Sequence, residues 1–237
     1  MREKFIKAFM KRTVPILKKK NKRDAKYIPT KNETILLDLG QPIAEIETCF
    51  QVMDLFPKII TSHSSYYEKK GFSRIQQHRK NIEWYFSEVY ILKERTVKLL
   101  KILKKKLTSA GFDKNSQEVK LVESIIDGFL KSVDGIIIMR GKHTHEFSYQ
   151  NEDLYHMELL DLAIKEFDYD NKDKEGLRSD MFFYLKMDRE RWKKIISDNN
   201  EALEQIMGNI YSSIEKDSLI DKSLSKTLRT SGILFSK

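Results

Sequence analysis

The sequence predicts an all-α fold, a helical bundle built on two long antiparallel helices. All four prolines lie within the first 57 of the 237 residues, and the chain contains only nine glycines. Because proline and glycine interrupt helices more strongly than other residues, the long proline-free remainder favours helical structure. No Asn-Gly or Asp-Gly pair separates two alternating strands, so no β-hairpin is predicted. Hydrophobic residues make up 40% of the chain, which is enough to bury a core.

The two long helices are predicted from about residue 74 to 106 and from about residue 115 to 140. Their apolar residues recur at alternating intervals of three and four, a heptad-like spacing that forms one continuous face on each helix. These residues are Ile82, Tyr85, Val89, Leu92, Thr96, Leu99 and Leu103 on the first helix, and Val119, Val122, Ile126, Phe129, Val133 and Ile136 on the second. The first face has two interpretations: it belongs to the core, or it is the partner-binding surface of a helical scaffold subunit.

The composition along the chain predicts three parts. Residues 1–41 form a basic N-terminal arm and connector, residues 42–216 a helical domain, and residues 217–237 a polar C-terminal tail. Pro15 is expected to interrupt the arm, and Pro42 to open the first helix of the domain, since proline suits the first helical turn. A charged loop is expected from Asp168 to Gly176.

The excess positive charge of the chain lies entirely in the arm. Residues 1–26 carry eleven basic and two acidic residues, which equals the net charge of +9 for the whole chain and leaves the remainder neutral. A basic arm on a neutral domain is typical of proteins that bind a polyanion, and it is also found in tails that only improve solubility. The candidate RNA-binding residues here are Lys18, Lys19, Lys20, Lys22 and Arg23.

Several protein classes are excluded. The longest strongly apolar run, Ile136 to Met139, is much shorter than the ~20 residues that a bilayer-spanning helix needs. The arm lacks the apolar centre of a secretory signal, and the single cysteine, Cys49, suits a reducing compartment, so a cytoplasmic location without membrane association is predicted. No phosphate-binding loop, dinucleotide fingerprint, nucleophile elbow or His-Glu-x-x-His motif occurs, and no cofactor is predicted.

Arg140 and His145 are the candidate catalytic residues. Arg140 follows Ile136 by four residues and therefore continues the apolar face of the second long helix. A guanidinium directed toward the bundle needs an anionic or polar partner. Gly141 can end the helix and let the chain turn, which would bring His145 beside Arg140. Histidine transfers protons near neutral pH, and arginine stabilises negative charge developing on phosphorus. The pair therefore suits phosphodiester chemistry.

The same residues allow other interpretations. The arginine can offset the macrodipole at the helix C-terminus, or it can pair with Glu146 or Asp153. Histidines in a connector are often only solvated. His143 and His145 have the spacing of a metal-binding pair, and with Glu146 or His156 they would supply part of a zinc site.

An aromatic cluster on the first long helix, formed by Trp84, Tyr85 and Phe86, has two interpretations. Exposed aromatic rings stack on the bases of single-stranded nucleic acids, and this would add to an RNA-binding surface. Aromatic side chains at helical spacing also form cores, and the spacing alone does not separate the two uses.

The residues around Arg140 resemble a bacterial branch of the HEPN superfamily of all-α proteins. The family motif is an arginine separated from a histidine by four to six residues, and Arg140 and His145 have four residues between them. The similarity covers roughly residues 74–170. It includes Arg140-Gly-Lys-His-Thr-His-Glu146, Asp153-Leu154, Glu158-Leu159-Leu160, and the positions of Glu88, Tyr90 and Arg95 on the family's first core helix.

The resemblance implies a HEPN-like fold and a metal-independent endoribonuclease in which the RNA 2′-hydroxyl attacks phosphorus and leaves a cyclic phosphate. His145 would be the acid/base residue, and Arg140 would stabilise the scissile phosphate. His143, Glu146 and Tyr149 would support the site, and Lys142 would bind RNA together with the arm. Family members form homodimers and act in toxin–antitoxin, abortive-infection and other anti-phage systems, so an antitoxin or defence protein is the implied partner. The alternative is a non-catalytic HEPN-like module that binds RNA or protein.

Overall fold

The computed structural model describes residues 2–21, 27–141, 152–167 and 169–230, and within these ranges every regular element is an α-helix. This confirms the predicted all-α fold. The helices are α1 (Arg2–Asn21), α2 (Lys31–Met53), α3 (Phe56–Ile59), α4 (Ser65–Lys69), α5 (Arg74–Ser109), α6 (Gln117–Gly141), α7 (Glu152–Glu166), α8 (Asn171–Lys216) and α9 (Leu219–Thr230). Across these ranges, none of the helices is long and apolar enough to cross a membrane.

The chain divides into two compact units. Unit one comprises Met1–Cys49, Ile91–Asp134 and Ala202–Lys237, and unit two comprises Phe50–Tyr90 and Gly135–Glu201. Helices α2, α5, α6 and α8 each contribute residues to both units. Each unit contains contacts between residues that are far apart in the chain.

The prediction that Pro15 interrupts the N-terminal segment is wrong. Helix α1 continues through Pro15, and its residues Phe5, Phe9 and Ile16 are buried in unit one. The ring of Phe5 stacks on that of Tyr211, with centroids 4.4 Å apart. Burial of each large apolar side chain contributes about 1.5–3 kcal/mol, which offsets the ~3 kcal/mol cost of a proline inside a helix. The segment is therefore a packed helix with an apolar face.

The prediction of a connector over residues 27–41 is wrong from Lys31 onward, because α2 begins there. Thr30 and Glu33 start this helix with a capping box. The backbone N–H of Thr30 donates to Glu33 Oε2 at 2.8 Å, and the backbone N–H of Glu33 donates to Thr30 Oγ1 at 3.2 Å. The first of these hydrogen bonds is the largest of the effects that lower the pKa of Glu33 to about 2. Pro42, expected at the first turn, lies inside the helix.

The prediction of a charged loop from Asp168 to Gly176 is also wrong from Asn171 onward, because α8 begins there. Asp170 caps this helix, because its Oδ1 accepts a hydrogen bond from the backbone N–H of Asp173 at 2.8 Å. Asp170 and Asp173, which had suggested a solvated loop, instead form the start of the helix. Gly176 lies within α8.

Helix α9 occupies most of the segment predicted as a polar tail. Leu219, Ile220 and Leu224 are buried, and Lys222 Nζ lies 3.2 Å from Glu118 Oε1 of α6, within unit one. Three buried positions on one face explain why this Ser- and Lys-rich segment is helical, since an amphipathic helix gains most of its stability from packing. The division of the chain into three parts stays a prediction.

The two long helices are confirmed as α5 and α6. The turn after Ser109 joins them, and Lys104 pairs with Glu123 across the two helices in unit one. All seven residues of the predicted face on α5 are buried, from Ile82 to Leu103. These residues therefore belong to the core, and their interpretation as a partner-binding surface is wrong.

Helix α7 and the first half of α8 form an antiparallel hairpin in unit two. Asp153 near the start of α7 contacts Arg191, and the ring of His156 lies 6.2 Å from that of Tyr184. Helix α8 also contacts α5, where the rings of Trp192 and Phe86 pack edge to face with centroids 5.7 Å apart. This aromatic contact fixes the position of α8 against α5 within the unit.

Candidate functional site

Of the proposed catalytic pair, Arg140 lies in the last turn of α6 and His145 lies between α6 and α7 in the sequence. Helix α6 ends at Gly141, one residue beyond Arg140, and α7 begins at Glu152. The side chain of Arg140 and all of residues 142–151 lie outside the described residues. This segment contains the predicted residues Lys142, His143, His145, Glu146 and Tyr149. The end of α6 and the whole of α7 belong to unit two.

A chain of charged side chains anchors the start of α7 to α8 and α5. Arg191 Nη1 donates to Asp153 Oδ2 at 2.9 Å, and Arg191 Nη2 donates to Asp188 Oδ1 at 2.5 Å. Asp188 Oδ2 in turn lies 2.8 Å from Nε2 of His78. Asp153 is the second residue of α7, so this chain of contacts fixes the helix that directly follows the predicted Arg-His segment.

The His78–Asp188 pair is completely buried, with both side chains at 0% exposure. Because a carboxylate only accepts hydrogen bonds, Nε2 of His78 carries the proton that is shared with Asp188. Nδ1 of His78 has no hydrogen-bond partner among the described residues. Removing two polar groups from water is costly unless they satisfy each other, so this pair holds α5 and α8 together in one specific arrangement.

A histidine oriented by an aspartate resembles the acid/base pair of many hydrolases, but solvent does not reach this pair. A substrate cannot contact a fully buried imidazole, so we assign the pair a positioning role. Arg191, whose side chain is 44% exposed, connects Asp188 to the protein surface.

The predicted RNA-binding lysines Lys18, Lys19 and Lys20 lie in the last turn of α1 and are exposed. Lys19 Nζ is 3.5 Å from Glu33 and 5.9 Å from the centre of the Tyr27 ring. Lys22 and Arg23 lie outside the described residues. Since Phe5, Phe9 and Ile16 anchor α1 in unit one, the helix presents its exposed basic residues on a folded surface.

An aromatic cavity of about 490 Å³ opens on unit two between the turn after α3, helix α4 and the first turns of α5. Tyr67, Phe72 and Trp84 line it and are about half exposed. Trp84 is held from two sides: its Nε1 donates to Glu88 Oε1 at 3.0 Å, and its ring meets Phe56 edge to face with centroids 5.0 Å apart. Rigid, exposed aromatic rings of this kind provide a surface on which a base can stack.

The predicted aromatic cluster is therefore divided. Tyr85 and Phe86 are buried, which confirms their interpretation as core residues. Burial also raises the pKa of Tyr85. Trp84, at 46% exposure, is the member of the cluster that a ligand can reach.

A group of apolar side chains is exposed on the α7–α8 hairpin. The exposed fraction lies between 44% and 61% for each of them. They are Tyr155, Leu159 and Leu162 on α7, and Phe183 and Met187 on α8. Tyr155, Leu159 and Leu162 share one face of α7 because they follow at intervals of four and three residues.

Among the described residues, no group of three or more His, Cys, Asp or Glu side chains is placed to hold a metal ion. The zinc alternative rests on His143, His145 and Glu146, which lie outside those residues. His156, its other candidate ligand, is exposed on α7 and contacts the Tyr184 ring.

No protein-family model, curated protein or solved structure matches this chain. The resemblance to the HEPN superfamily consequently rests on the motif residues alone.

Sequence reasoning missed the roles of His78 and Asp188, although a signal for each was present. The apolar face of α5 that begins at Ile82 reaches His78 when it is extended by four residues toward the N-terminus. On α8, Asp188 falls in the buried series that also contains Leu185 and Trp192. A polar residue within an apolar series predicts a buried polar contact, but the sequence does not identify the partner.

Proposed function

We propose that the protein is a metal-independent endoribonuclease of the HEPN type. The observation that carries this proposal is the Arg-x4-His motif at the end of the second of two long helices, in an all-α chain. The position of Arg140 one residue before the end of α6 supports it. So does the fixed start of α7, because Asp153, Arg191 and Asp188 hold the helix that follows the motif.

The proposed reaction is transesterification within the RNA chain. His145 accepts the proton of the 2′-hydroxyl, whose oxygen attacks the adjacent phosphorus, and the bond to the 5′-oxygen breaks. Arg140 stabilises the negative charge that develops on the phosphoryl oxygens. A proton delivered to the departing 5′-oxygen completes the reaction, which leaves a 2′,3′-cyclic phosphate and a 5′-hydroxyl. DNA lacks the attacking hydroxyl and is not cleaved.

Two described surfaces support an RNA substrate. The last turn of α1 carries Lys18, Lys19 and Lys20 in exposed positions on a packed helix. The cavity lined by Tyr67, Phe72 and Trp84 offers aromatic rings at the surface of unit two. Phosphates bound by lysines and bases stacked on aromatic rings are the two main contributions to binding of single strands.

We also propose that the active form is a homodimer. The exposed apolar side chains of the α7–α8 hairpin support this, because aromatic residues and methionine are enriched at protein interfaces. The hairpin begins directly after the segment that contains His145. A second copy bound to this surface would therefore lie near the proposed motif of the first copy.

The test of the proposed reaction is incubation of the purified protein with labelled single-stranded RNA and with DNA of the same sequence, in EDTA. We expect cleavage of RNA only, with cyclic-phosphate ends. Cleavage that requires an added divalent metal ion would contradict the proposal. Binding of RNA without products would favour the non-catalytic RNA-binding module.

Neutralising the basic end of α1 is expected to weaken RNA binding in a salt-dependent way. Deletion of residues 1–26 is unsuitable, because it would also remove Phe5, Phe9 and Ile16 from the core. We expect the triple substitution of Lys18, Lys19 and Lys20 by Gln to reduce the slope of log K against log salt by about 2, since each contact to a phosphate of a single strand contributes ~0.7. Fluorescence anisotropy with labelled RNA measures this slope.

The matched control for this experiment is the substitution by Gln of Lys165, Lys193 and Lys194, three exposed lysines of unit two. It removes the same charge from a different surface. An equal loss of RNA affinity in both triple variants would show that only net charge matters and that α1 has no specific role.

A further inference from the structure

A second basic site lies on unit two, within a cavity of about 230 Å³ between the start of α5, the turn after α3 and the middle of α8. Three cationic side chains line this cavity: Arg74, Lys186 and Arg189. Glu190 is the one acidic residue among the residues that line it, so positive charge is in excess. Thr61, Phe182 and Leu185 complete the lining.

Two nitrogen atoms of Arg189 donate no hydrogen bond to any described residue. Its Nε and Nη2 atoms are shielded from solvent, and neither has a hydrogen-bond partner among the described residues. A shielded guanidinium donor without an acceptor costs free energy that an anion would recover. Burial, and then the charge of Arg74, lower the pKa of Arg189, while Glu68 acts in the opposite direction.

Arg74 is held in place on the other side of the cavity. Its Nε donates to Glu68 Oε1, and its guanidinium carbon lies 5.2 Å from the centre of the Phe182 ring. His63 also approaches Glu68, with Nε2 4.0 Å from Oε2. The carboxylate of Glu68 is thus committed to Arg74 and does not line the cavity. Glu68 bonds directly to Arg74 and acts on Arg189 only through its charge, so two guanidinium groups share one carboxylate.

We propose that this cavity binds a phosphate group, with Arg189 and Arg74 as its principal ligands and Lys186 at its entrance. A phosphate offers several acceptor oxygens to the forked donors of arginine, and its charge removes the repulsion between the two guanidinium groups. The phosphate comes either from the backbone of an RNA strand or from a free phosphate or phosphate monoester. The proposal does not depend on RNA cleavage, because it concerns binding alone.

The test measures binding of inorganic phosphate to the full chain by calorimetry, and thermal unfolding with phosphate or NaCl at equal ionic strength. We expect saturable phosphate binding and a higher unfolding temperature in phosphate than in NaCl. Arg189→Gln is expected to weaken phosphate binding by at least about tenfold, since hydrogen bonds to charged groups contribute ~1.5–3 kcal/mol. Without phosphate, we expect this variant to be at least as stable as the wild type, because a repelling charge is removed.

Two further variants complete the design. Arg178→Gln removes an exposed arginine from the same helix, outside this cavity, and is expected to bind phosphate like the wild type. Lys186→Gln changes an exposed side chain, so it keeps the proposal testable if Arg189→Gln fails to fold; we expect a smaller loss of phosphate affinity.

A parallel titration with single-stranded RNA identifies the source of the phosphate. If Arg189→Gln weakens both RNA and phosphate binding, the site holds an RNA backbone phosphate. If only phosphate binding weakens, the site holds a free phosphate or monoester. The proposal is overturned if the wild type gains no more stability from phosphate than from NaCl, or if Arg189→Gln and Lys186→Gln both bind phosphate with wild-type affinity.

Discussion

Replacement of His145 by alanine is expected to lower the rate of RNA cleavage by about 10²–10⁴-fold, the usual contribution of a general acid/base group. Arg140→Ala is expected to lower the same rate by roughly 10²–10³-fold, because it removes a donor to the developing oxyanion. Both rates are measured with labelled RNA in EDTA under single-turnover conditions. Both variants should keep the circular dichroism spectrum and the unfolding midpoint of the wild type.

His156→Ala is the matched control for this experiment. His156 is an exposed histidine on α7, the helix that follows the Arg-His segment. We expect this variant to cleave RNA at the wild-type rate. Wild-type cleavage by both His145→Ala and Arg140→Ala would show that the catalytic assignment is wrong. The metal-site alternative would instead be favoured if the wild-type protein is inactive in EDTA and regains activity with zinc. His156→Ala would then be inactive under both conditions.

Removal of Asp188 is expected to destabilise the protein by at least about 1–3 kcal/mol, the typical cost of leaving a buried hydrogen-bonding group unsatisfied. Asp188→Ala would leave Nε2 of His78 buried without its acceptor. It would also remove one of the two carboxylates that hold Arg191, the residue that anchors Asp153 at the start of α7. The free energy of unfolding is measured by urea denaturation at neutral pH.

Asp198→Ala is the control for this second prediction. Asp198 lies on the same helix, is 61% exposed and pairs with Lys194 at 2.8 Å. Because exposed ion pairs contribute little, we expect a change within about 0.5 kcal/mol. A small and equal change for Asp188→Ala and Asp198→Ala would contradict the structural importance of the buried pair.

A double variant measures how strongly the effects of His78 and Asp188 on stability are coupled. In His78→Leu combined with Asp188→Leu, neither buried partner is left without the other, and the partly exposed Arg191 can turn toward solvent. We expect the double variant to lose less stability than the sum of the two single variants, because replacing both members of a buried pair by apolar residues is often close to neutral.

The helices were predictable because their apolar residues repeat over many turns. The face from Ile82 to Leu103 needs no tertiary information, and every one of its residues is buried as a core face requires. Helix starts and ends depend on more than local preference. Pro15 suggested a break and Pro42 a helix start, but the packing of α1 and α2 outweighs the local cost of each proline.

The candidate site was predictable only in part. Arg140 and His145 stand out because they form a short motif at a helix end. The contact between His78 and Asp188, and the approach of Arg74 to Arg189, join residues that are more than 100 positions apart in the chain. Such pairs follow from how α5 and α8 pack, and a single sequence does not specify which polar residues of two helices face each other.

The stacking of Phe5 on Tyr211 has a consequence for biosynthesis. These rings meet only after about 200 residues have been translated between them. At 5–20 residues per second, synthesis of that stretch takes roughly 10–40 s. During this time Phe5 lacks the ring on which it stacks in the folded unit. Nascent chains that stop before residue 202 never acquire this contact, and we expect them to be substrates for chaperones and proteases.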